Sequence, residues 1–112
     1  MPTIRAMKRG EVWWVTASAA TGGEVRKRRP GVVVSNDAAN AHANRVQVVP
    51  VSSKTEKLYP CEALITVQGR ASKAMADQVT TVARERLAGY MDRLSAEEMR
   101  QVEIALRLQL GL

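Results

Sequence analysis

Short segments rich in β-branched and aromatic residues alternate with turn residues as far as Val82, and a helical segment follows near the end of the chain. Segments of this length and composition between turn residues are typical of β-strands. The sequence predicts strands at residues 11–16, 31–35, 45–51, 63–67 and 78–82. A single helical turn is predicted at residues 37–43, with Asp37 as its N-cap.

The terminal segment carries the start and stop signals of a helix. Ser95 and Glu98 form an S-x-x-E capping box, in which each side chain accepts the backbone N–H of the other residue. Leu94 and Met99 flank the box at the positions of a hydrophobic staple, and Gly111 is a natural helix stop. The sequence therefore predicts a helix between the capping box and that glycine.

The predicted helix has apolar residues on two sides. One stripe, at 3-4-4 spacing, is expected to face the core and consists of Met99, Val102, Leu106 and Leu110. Ile104 and Leu108 lie on nearly the opposite side, and a helix packed only on its own domain does not need a second stripe. These two residues are either ordinary exposed apolar residues or a contact with another subunit or a partner.

One domain spanning residues 1–112 is the predicted organisation, because the chain has the length of a single small core and shows no linker or repeat. Short strands followed by one helix predict a mainly β fold, a small barrel or curled sheet with the helix packed on it. No apolar run approaches the roughly 18 residues of a membrane helix. The polar N-terminus and the single Cys61 favour a cytoplasmic protein without an internal disulfide.

The positive charge of the chain is concentrated in short blocks. Seventeen Lys and Arg residues against eleven Asp and Glu give a net charge of +6 and a pI near 10.1. The blocks are Lys8 with Arg9 and the run Arg26, Lys27, Arg28 and Arg29. Such blocks suit a polyanion such as nucleic acid, because each neutralised phosphate releases counterions. The alternative is a basic loop that only keeps the protein soluble.

Several common site types are excluded by residues that the chain lacks. His42 is the only histidine, which excludes a ribonuclease with two histidines as general acid and base. No pair of His or Cys residues has the spacing of a metal site, and no phosphate-binding loop or dinucleotide motif is present. The sequence therefore predicts neither a metal nor a cofactor.

Polar side chains at strand ends are the remaining candidates for chemistry. Pro30 biases Arg29 towards an extended conformation at the entrance of a predicted strand, which is a rigid position for a phosphate ligand. The other candidates are hydroxyl, acidic and amide side chains at strand ends, namely Ser52, Ser53, Asp77 and Gln78. Each of these alone is weak evidence, because most such residues have structural roles.

A set of short motifs runs along nearly the whole chain in one register. The motifs are KRGEVWWV (8–15), GGE (22–24), RRPGVVVSND (28–37), VVPVSS (48–53), YP (59–60), ADQVTTV (76–82) and the ending LSAEEMRQVEIALRLQLGL. Together and in this order they resemble the MazF/PemK/Kid family of toxins. The RGE-x-W opening with the R-P and V-P-x-S-S motifs is specific to that resemblance.

The resemblance implies an SH3-like β-barrel with a terminal helix, usually assembled as a homodimer. It also implies a metal-independent endoribonuclease of a type II toxin–antitoxin system, which cleaves single-stranded RNA at a short motif, with messenger RNA as the expected substrate and ribosomal and transfer RNA as further candidates. Two partners are expected: the RNA and a cognate MazE-like antitoxin. An acidic, partly disordered antitoxin tail would suit a chain of charge +6.

The resemblance also assigns site residues. The catalytic Arg before the Pro corresponds to Arg29, the catalytic Thr after V-P-x to Ser52, and the acidic residue before Gln to Asp77. The candidate RNA-binding residues are Arg26, Lys27, Arg28, Ser53, Lys54 and Gln78. Three positions depart from the family pattern, because Met75 replaces a basic residue, Thr16 replaces an Asp and Ser52 replaces the Thr. Ser52 keeps the hydroxyl but loses the β-branch that stiffens χ1.

The expected mechanism uses the 2′-OH of the RNA as the nucleophile and yields a 2′,3′-cyclic phosphate and a 5′-OH. Arg29 would stabilise the charged phosphorane, because a guanidinium forks onto two phosphate oxygens. Ser52 would hydrogen-bond a phosphate oxygen or the leaving group, and Asp77 would act as an acid/base or read a base. Trp13 and Trp14 point to opposite strand faces, so one is expected in the core and the other at a dimer or RNA groove.

Two other functions remain open from the sequence. A CcdB-like toxin of the same fold would poison DNA gyrase without nuclease activity, and it would not need Arg29 together with Ser52. A basic RNA-binding barrel without chemistry would explain the charge, but it would not explain why these motifs occur together.

Overall fold

A computed structural model describes residues 7–16 and 27–112 of the chain. The strands in this part are β1 (Glu11–Thr16), β2 (Arg28–Val33), β3 (Arg45–Ser52), β4 (Glu62–Val67), β5 (Arg70–Met75), β6 (Thr80–Ala83) and β7 (Leu87–Arg93). The helices are α1 (Asp37–His42) and α2 (Ala96–Leu110), and short 3-10 turns occur at Ala76–Gln78 and Arg84–Arg86. The predicted mainly β fold with a terminal helix is confirmed.

The strands form one curled antiparallel sheet in the order β4-β5-β3-β2-β1-β7, with β6 paired to β3 beside this path. One edge of β3 pairs with β2, and the other edge is shared, because residues 45–48 pair with β6 whereas Val51 and Ser52 pair with β5. Between these two ladders lies Pro50, which has no N–H to donate. The turn between β4 and β5 reaches β7, where the N–H of Gln68 donates to Asp92 Oδ2 at 2.6 Å.

The centre of the sheet is buried on both faces. Val32 and Val49 belong to the larger apolar cluster, which includes residues of α2, whereas Val33 and Val48 belong to a smaller cluster. Neighbouring residues of a strand face opposite sides, so each cluster covers one face. Burial on both faces explains why GVVV and VVPV are continuous apolar runs rather than alternating ones.

The structure confirms the predicted caps of α2. Ser95 Oγ accepts the N–H of Glu98 at 3.1 Å, and Glu98 Oε1 accepts the N–H of Ser95 at 2.9 Å. The second carboxylate oxygen of Glu98 accepts the N–H of Thr66 at 2.6 Å, so the capping box also ties the helix start to β4. The helix ends at Gly111, whose φ of 72° is the left-handed conformation that glycine favours.

The core-facing stripe of α2 differs from the prediction at its end. Met99 and Val102 are buried and Leu106 packs against the same cluster, but Leu110 is 55% exposed and Ala105 is buried instead. Helical geometry accounts for this, because Ala105 lies three residues after Val102, on the same face. The second pair, Ile104 and Leu108, is exposed.

In the described residues no helix is long and apolar enough to cross a membrane.

The N-cap prediction for α1 was wrong by one residue. Asn36 is the N-cap, since its Oδ1 accepts the N–H of Ala39 at 2.8 Å. Asp37 instead accepts the N–H of Arg9 at 2.8 Å. The guanidinium of Arg9 forms an ion pair with Glu103 at 2.7 Å. Arg9 therefore links α1 to α2, and its charge is already paired with a carboxylate of the protein.

Strand boundaries differ from the predictions where pairing outweighs propensity. β2 begins at Arg28 rather than at residue 31, because Arg28, Arg29 and Pro30 pair with β1. The predicted strand 78–82 is a 3-10 turn followed by β6, which spans Thr80–Ala83. β5 and β7 were not predicted, because RASKAM and LAGYMDR contain no β-branched residue.

Gly31 provides the first test of this packing. A Cβ on Gly31 would lie 3.1 Å from Val15 Cγ2 and 3.4 Å from Val48 Cβ, so Gly31→Ala overpacks the contact between β1, β2 and β3. We expect it to lower the free energy of unfolding by about 1–3 kcal/mol. Gly89→Ala is the matched control, because its nearest atom is Trp14 Cδ1 at 3.9 Å. Denaturant unfolding of both variants gives the comparison, and equal stabilities would contradict this account.

Candidate functional site

A cleft of about 750 Å³ lies where β2 begins, β3 ends and the β4–β5 turn approaches β7. Its lining residues are Trp14, Arg29, Pro30, Val51, Ser52, Ser53, Lys54, Val67, Gln68, Arg70, Ser72, Met75, Gln78 and Met91. Five of the predicted site residues are among them: Arg29, Ser52, Ser53, Lys54 and Gln78. The sequence motifs at separate strand ends are therefore brought to one place.

The pairing of β2 with β3 explains why Arg29 and Ser52 share the cleft. Gly31 pairs with Pro50 and Val32 with Val49 in antiparallel register. The same register continued by two residues sets Arg29 opposite Ser52. Pro30 and Arg29 are also held on their other side, because they pair with Trp14 and Val15 of β1. Arg29 thus projects from a backbone segment that is fixed by β1, while its side chain is exposed.

The cleft wall opposite Arg29 is built by the partner change of β3. Val51 of β3 pairs with Ala74 of β5, and Val48 pairs with Thr80 of β6. The two β3 residues are three positions apart, whereas their partners are six positions apart. The extra residues form the 3-10 turn Ala76–Gln78. Met75 precedes this turn and Gln78 is its last residue, and both line the cleft. Gln78 Nε2 donates to Met75 Sδ at 3.7 Å.

A second cleft of about 290 Å³ adjoins the first. Its lining residues are Val15, Thr16, Lys27, Arg29, Pro30, Gly31, Val48, Pro50, Gln78, Thr80, Val82 and Arg86. Arg29, Pro30 and Gln78 line both clefts, so Arg29 stands at their boundary. The floor of the second cleft is apolar, and its two additional cations are Lys27 and Arg86.

The electrostatic character of the two clefts is uniformly positive. Arg29, Lys54 and Arg70 line the first cleft, and Lys27 and Arg86 add to the second. Among the described residues, those that line either cleft include no Asp or Glu. A concave surface with charges of one sign concentrates ligands of the opposite sign. The site therefore suits a polyanion.

An aromatic ring supplies one wall of the first cleft. Trp14 lines it, and the guanidinium of Arg28 lies over the indole ring at 4.4 Å from the centroid. Trp13 lies on the other face of β1, where it packs against the smaller core cluster and meets the ring of Tyr90 edge-on at 6.0 Å. The prediction that the two tryptophans face opposite sides is confirmed.

The segment after Ser52 is tied back to that residue and to β5. Ser52 Oγ accepts the N–H of Lys54 at 3.1 Å. Farther along, Glu62 forms a 2.9 Å ion pair with Lys73 of β5. Burial by itself would raise the pKa of the Glu62 carboxyl. The N–H of Tyr59 and the Lys73 ammonium outweigh that effect, so the pKa lies below its usual value and the group is ionised at neutral pH.

Three predicted site residues lie outside the first cleft. Asp77 is exposed on the 3-10 turn and lines neither cleft. Lys27 lines the second cleft, and Arg28 contacts Trp14 from above. Arg26 lies outside the described residues, as do Gly22 and Gly23 of the GGE motif. Thr16, one of the departures from the family pattern, is buried, and its Oγ1 donates to the carbonyl of Arg86 at 3.3 Å.

Sequence reasoning missed Gln68 and Arg70. Both line the first cleft beside the β4–β5 turn, and β5 itself was not predicted. The sequence signal was the glycine of the Gln68-Gly69 dipeptide, because glycine readily adopts a positive φ. In the structure φ is 51° at Gln68 and 76° at Gly69. Consecutive positive φ values are typical of a type I′ hairpin turn, which would have indicated a strand on each side.

Metal-ligating side chains do not cluster in the described part of the chain. Within residues 7–16 and 27–112, no three His, Cys, Asp or Glu side chains are grouped so that they could hold a metal ion.

Comparison with known proteins gives relatives over the whole chain. Endoribonuclease MazF9 of Mycobacterium tuberculosis is 43% identical over 115 aligned positions, which cover 95% of this chain and 98% of that protein. The crystal structure of MazF from Deinococcus radiodurans superposes with a TM-score of 0.80 at 26% identity, covering 97% of this chain and 100% of that one. A mycobacterial endoribonuclease in complex with its cognate antitoxin superposes with a TM-score of 0.81 at 24% identity, covering 96% and 97%.

A family profile agrees with these relatives. The profile described as PemK-like, MazF-like toxin of type II toxin-antitoxin system matches residues 8–110. The resemblance carried by the short motifs is therefore confirmed, and so is the fold that it implied. Since the profile spans most of the chain and the M. tuberculosis relative aligns along nearly all of it, this protein belongs to the family of PemK-like, MazF-like toxins of type II toxin–antitoxin systems.

Proposed function

We propose that this protein is a sequence-specific, metal-independent endoribonuclease that cleaves single-stranded RNA as the toxin of a toxin–antitoxin pair. The observation that carries the proposal is the cleft itself, in which Arg29, Ser52, Lys54 and Gln78 line one positively charged surface. The relatives of this protein include proteins named as endoribonucleases, among them MazF9, which is 43% identical. An RNA strand supplies both the negative charge that the cleft suits and a 2′-OH nucleophile.

Arg29 is the proposed electrostatic catalyst. Transfer of the phosphoryl group to the 2′-OH builds negative charge on the non-bridging oxygens of the phosphorane, and a guanidinium can donate to two of them. The position of Arg29 at the boundary of the two clefts would place the scissile phosphate between them. The role proposed for Arg29 is electrostatic rather than that of a general base, because a guanidinium in a protein donates protons to hydrogen bonds and has no acceptor for one.

Ser52 is the proposed second catalytic group. Its hydroxyl would donate to a phosphate oxygen or to the leaving 5′-oxygen, in the cleft that Ser52 lines together with Arg29. The role proposed for Asp77 is reading a base of the bound strand, since an exposed carboxylate beside Gln78 can accept from an exocyclic amine. An acid/base role for Asp77 is less consistent with a side chain that does not line the cleft.

The proposed RNA-binding surface extends from the cleft to the basic block. Lys54, Ser53 and Gln78 would contact the strand inside the cleft. Lys27 and Arg28 would contact phosphates outside it, together with Arg26, which precedes them in the sequence. The ring of Trp14 would be open to base stacking once the guanidinium of Arg28 moves off it.

The proposed partners are a second copy of the chain and a MazE-like antitoxin. MazF of D. radiodurans is known in complex with MazE, and that structure superposes with a TM-score of 0.81 at 26% identity. An acidic antitoxin segment would compete with RNA for the positive clefts. Ile104 and Leu108, both exposed on α2, are proposed to lie at the subunit or antitoxin contact. A cytoplasmic location belongs to the same proposal, because its RNA substrate is there.

The gyrase-poisoning alternative is not favoured. The family profile and the named relatives are MazF-type toxins and endoribonucleases. An RNA-binding barrel without chemistry is likewise less consistent with relatives that carry an enzymatic name.

The decisive experiment is incubation of the protein with a long RNA in excess EDTA. We expect discrete fragments with 2′,3′-cyclic phosphate and 5′-OH ends. Arg29→Ala should slow cleavage by about 10²–10³-fold without changing the unfolding transition, because it removes one preorganised donor. Arg29→Lys should also be slow, because a point charge cannot fork. Intact RNA with the parental protein would disprove the function, and parental rates for Arg29→Ala would disprove the site.

Ser52 gives a test of hydroxyl chemistry. Ser52→Ala should slow cleavage strongly because it removes the hydroxyl, whereas Ser52→Thr should retain activity because it keeps a hydroxyl at this position. Ser53→Ala is the matched control, since Ser53 lines the same cleft but is not assigned chemistry. Single-turnover cleavage rates compare the three variants, and a full rate for Ser52→Ala would move the role to another group.

Salt dependence tests the basic block. The double change Arg26→Gln with Lys27→Gln should weaken RNA binding and reduce the slope of log affinity against log salt by about 0.7 for each phosphate that is no longer neutralised. The cut site should not move, because phosphate contacts carry no sequence information. Arg100→Gln with Arg107→Gln removes the same charge from exposed positions of α2 and is the control. A shifted cut site at unchanged affinity would contradict this assignment.

A further inference from the structure

Lys73 is buried on a face of the sheet that is otherwise open. It is 9% exposed, whereas Leu64, its register partner on β4, is 53% exposed. Because side chains alternate along a strand, both point away from the face of Ala74, which lies in the core. The core therefore does not cover Lys73, and another part of the chain must do so.

The covering element is the segment 53–61, which connects β3 to β4. Lys73 Nζ donates to the carbonyl oxygen of Lys57 at 2.9 Å and to Oε1 of Glu62, at the start of β4, at 2.9 Å. The ammonium also lies 5.7 Å from the centre of the Tyr59 ring. Glu62 is bonded to Tyr59 in both directions, since Oε1 accepts the Tyr59 N–H at 3.0 Å and the Glu62 N–H donates to the Tyr59 carbonyl at 2.9 Å.

Such an arrangement is costly if its only role is stability. The side chains of Lys73 and Glu62 are 11% and 7% exposed, so both charges lose most of their hydration. A buried ion pair seldom stabilises a fold more than apolar residues of the same volume do. What it does supply is geometry, because the ammonium is satisfied only when the Lys57 carbonyl and the Glu62 carboxylate are both in place.

We propose that Lys73 is a positioning residue for the cleft: its ammonium holds the segment 53–61 so that Ser53 and Lys54 already line the cleft before RNA binds. The inference rests on the proposed function of that cleft. Lys73 itself does not line the cleft and touches no proposed reacting group with its side chain. It acts through the chain that it holds.

The spacing of the anchors supports this role. Ser52 is fixed by its pairing with Lys73 in the β3–β5 ladder, and Lys57 is fixed by the ammonium. Only residues 53–56 lie between these two anchors, and they include both cleft residues of the segment. Without the ammonium, the segment would be anchored next at the start of β4. RNA binding would then have to order the additional residues, at a cost in affinity.

The test uses the double variant Lys73→Met with Glu62→Gln. It removes both charges together, so that neither is left buried alone, and the amide keeps an acceptor for the Tyr59 N–H. The matched control is Arg9→Met with Glu103→Gln, which removes a 2.7 Å ion pair between the segment before β1 and α2, outside both clefts. The measurements are amide hydrogen exchange without RNA, and KM and kcat for cleavage of one RNA substrate.

We expect faster exchange of the amides at residues 53–59 in the Lys73 double variant, with unchanged protection in β1 and β2. KM should rise about tenfold, which corresponds to ordering one or two more residues on binding, while kcat stays at the parental value. The Arg9 control should change neither the exchange of this segment nor KM. Should the double variant fail to fold, Lys73→Gln with Glu62→Gln also leaves no charge buried alone, keeps an amide donor at position 73 and should give a smaller change in the same direction.

Three outcomes would overturn the proposal. The first is unchanged exchange of residues 53–59 in a folded variant. The second is a fall in kcat at constant KM, and the third is an equal effect in the Arg9 control, since either of these results indicates a general structural role. The exchange measurement needs no RNA, so it tests Lys73 even if the parental protein leaves RNA intact. Intact RNA would then count against the proposed ribonuclease function alone.

Discussion

The division of one edge of β3 between two strands is the constraint on which the rest of the structure depends. A strand that kept one partner along its whole length would continue a regular ladder, and no 3-10 turn would be needed at Ala76–Gln78. The ladder changes at Pro50, which cannot donate a hydrogen bond. The three additional residues between β5 and β6 leave Met75 and Gln78 at the edge of the cleft. The opposite edge of β3 pairs with β2, so the end of β3 with Ser52 and the start of β2 with Arg29 both line the cleft.

Charge alone was an ambiguous guide, because the cations of this chain have two different roles. Arg9 pairs with Glu103, Lys73 with Glu62, and Arg84 donates to the carbonyl of Ala43. These three hold loops and helices to the sheet. The cations that line the clefts have no carboxylate beside them among the lining residues described, so their field is not cancelled locally. A net charge of +6 therefore understates how strongly positive the clefts are.

The parts of the fold that were predictable are those in which local chemistry and tertiary pairing agree. Valine-rich segments and a capped amphipathic helix carry their own signals, and β1, β3, β4 and α2 lie within a residue of their predicted ends at most positions. β5 and β7 form because neighbours already present offer free edges, and a polar strand such as RASKAM shows no period of its own. Arg29 and Ser52 could be singled out because the R-P and V-P-x-S-S motifs place them near the ends of apolar strands, and both line the first cleft. Arg70 was not, because its strand was not predicted.

A serine at position 52, where the resemblance implies a threonine, changes how the proposed hydroxyl is held. A threonine is stiff at χ1 because of its β-branch, whereas a serine takes its rotamer from its hydrogen bonds. Ser52 Oγ accepts the N–H of Lys54, so its orientation depends on the first residues of the segment 53–61. The backbone of Ser52 is held by the β3–β5 ladder, which pairs it with the backbone of Lys73 and does not involve the ammonium. The ammonium acts farther along the segment, at the carbonyl of Lys57. The supports of the proposed hydroxyl therefore lie in β3 and at the adjacent Lys54, whereas the ion pair on the outer face of the sheet holds the rest of the segment 53–61.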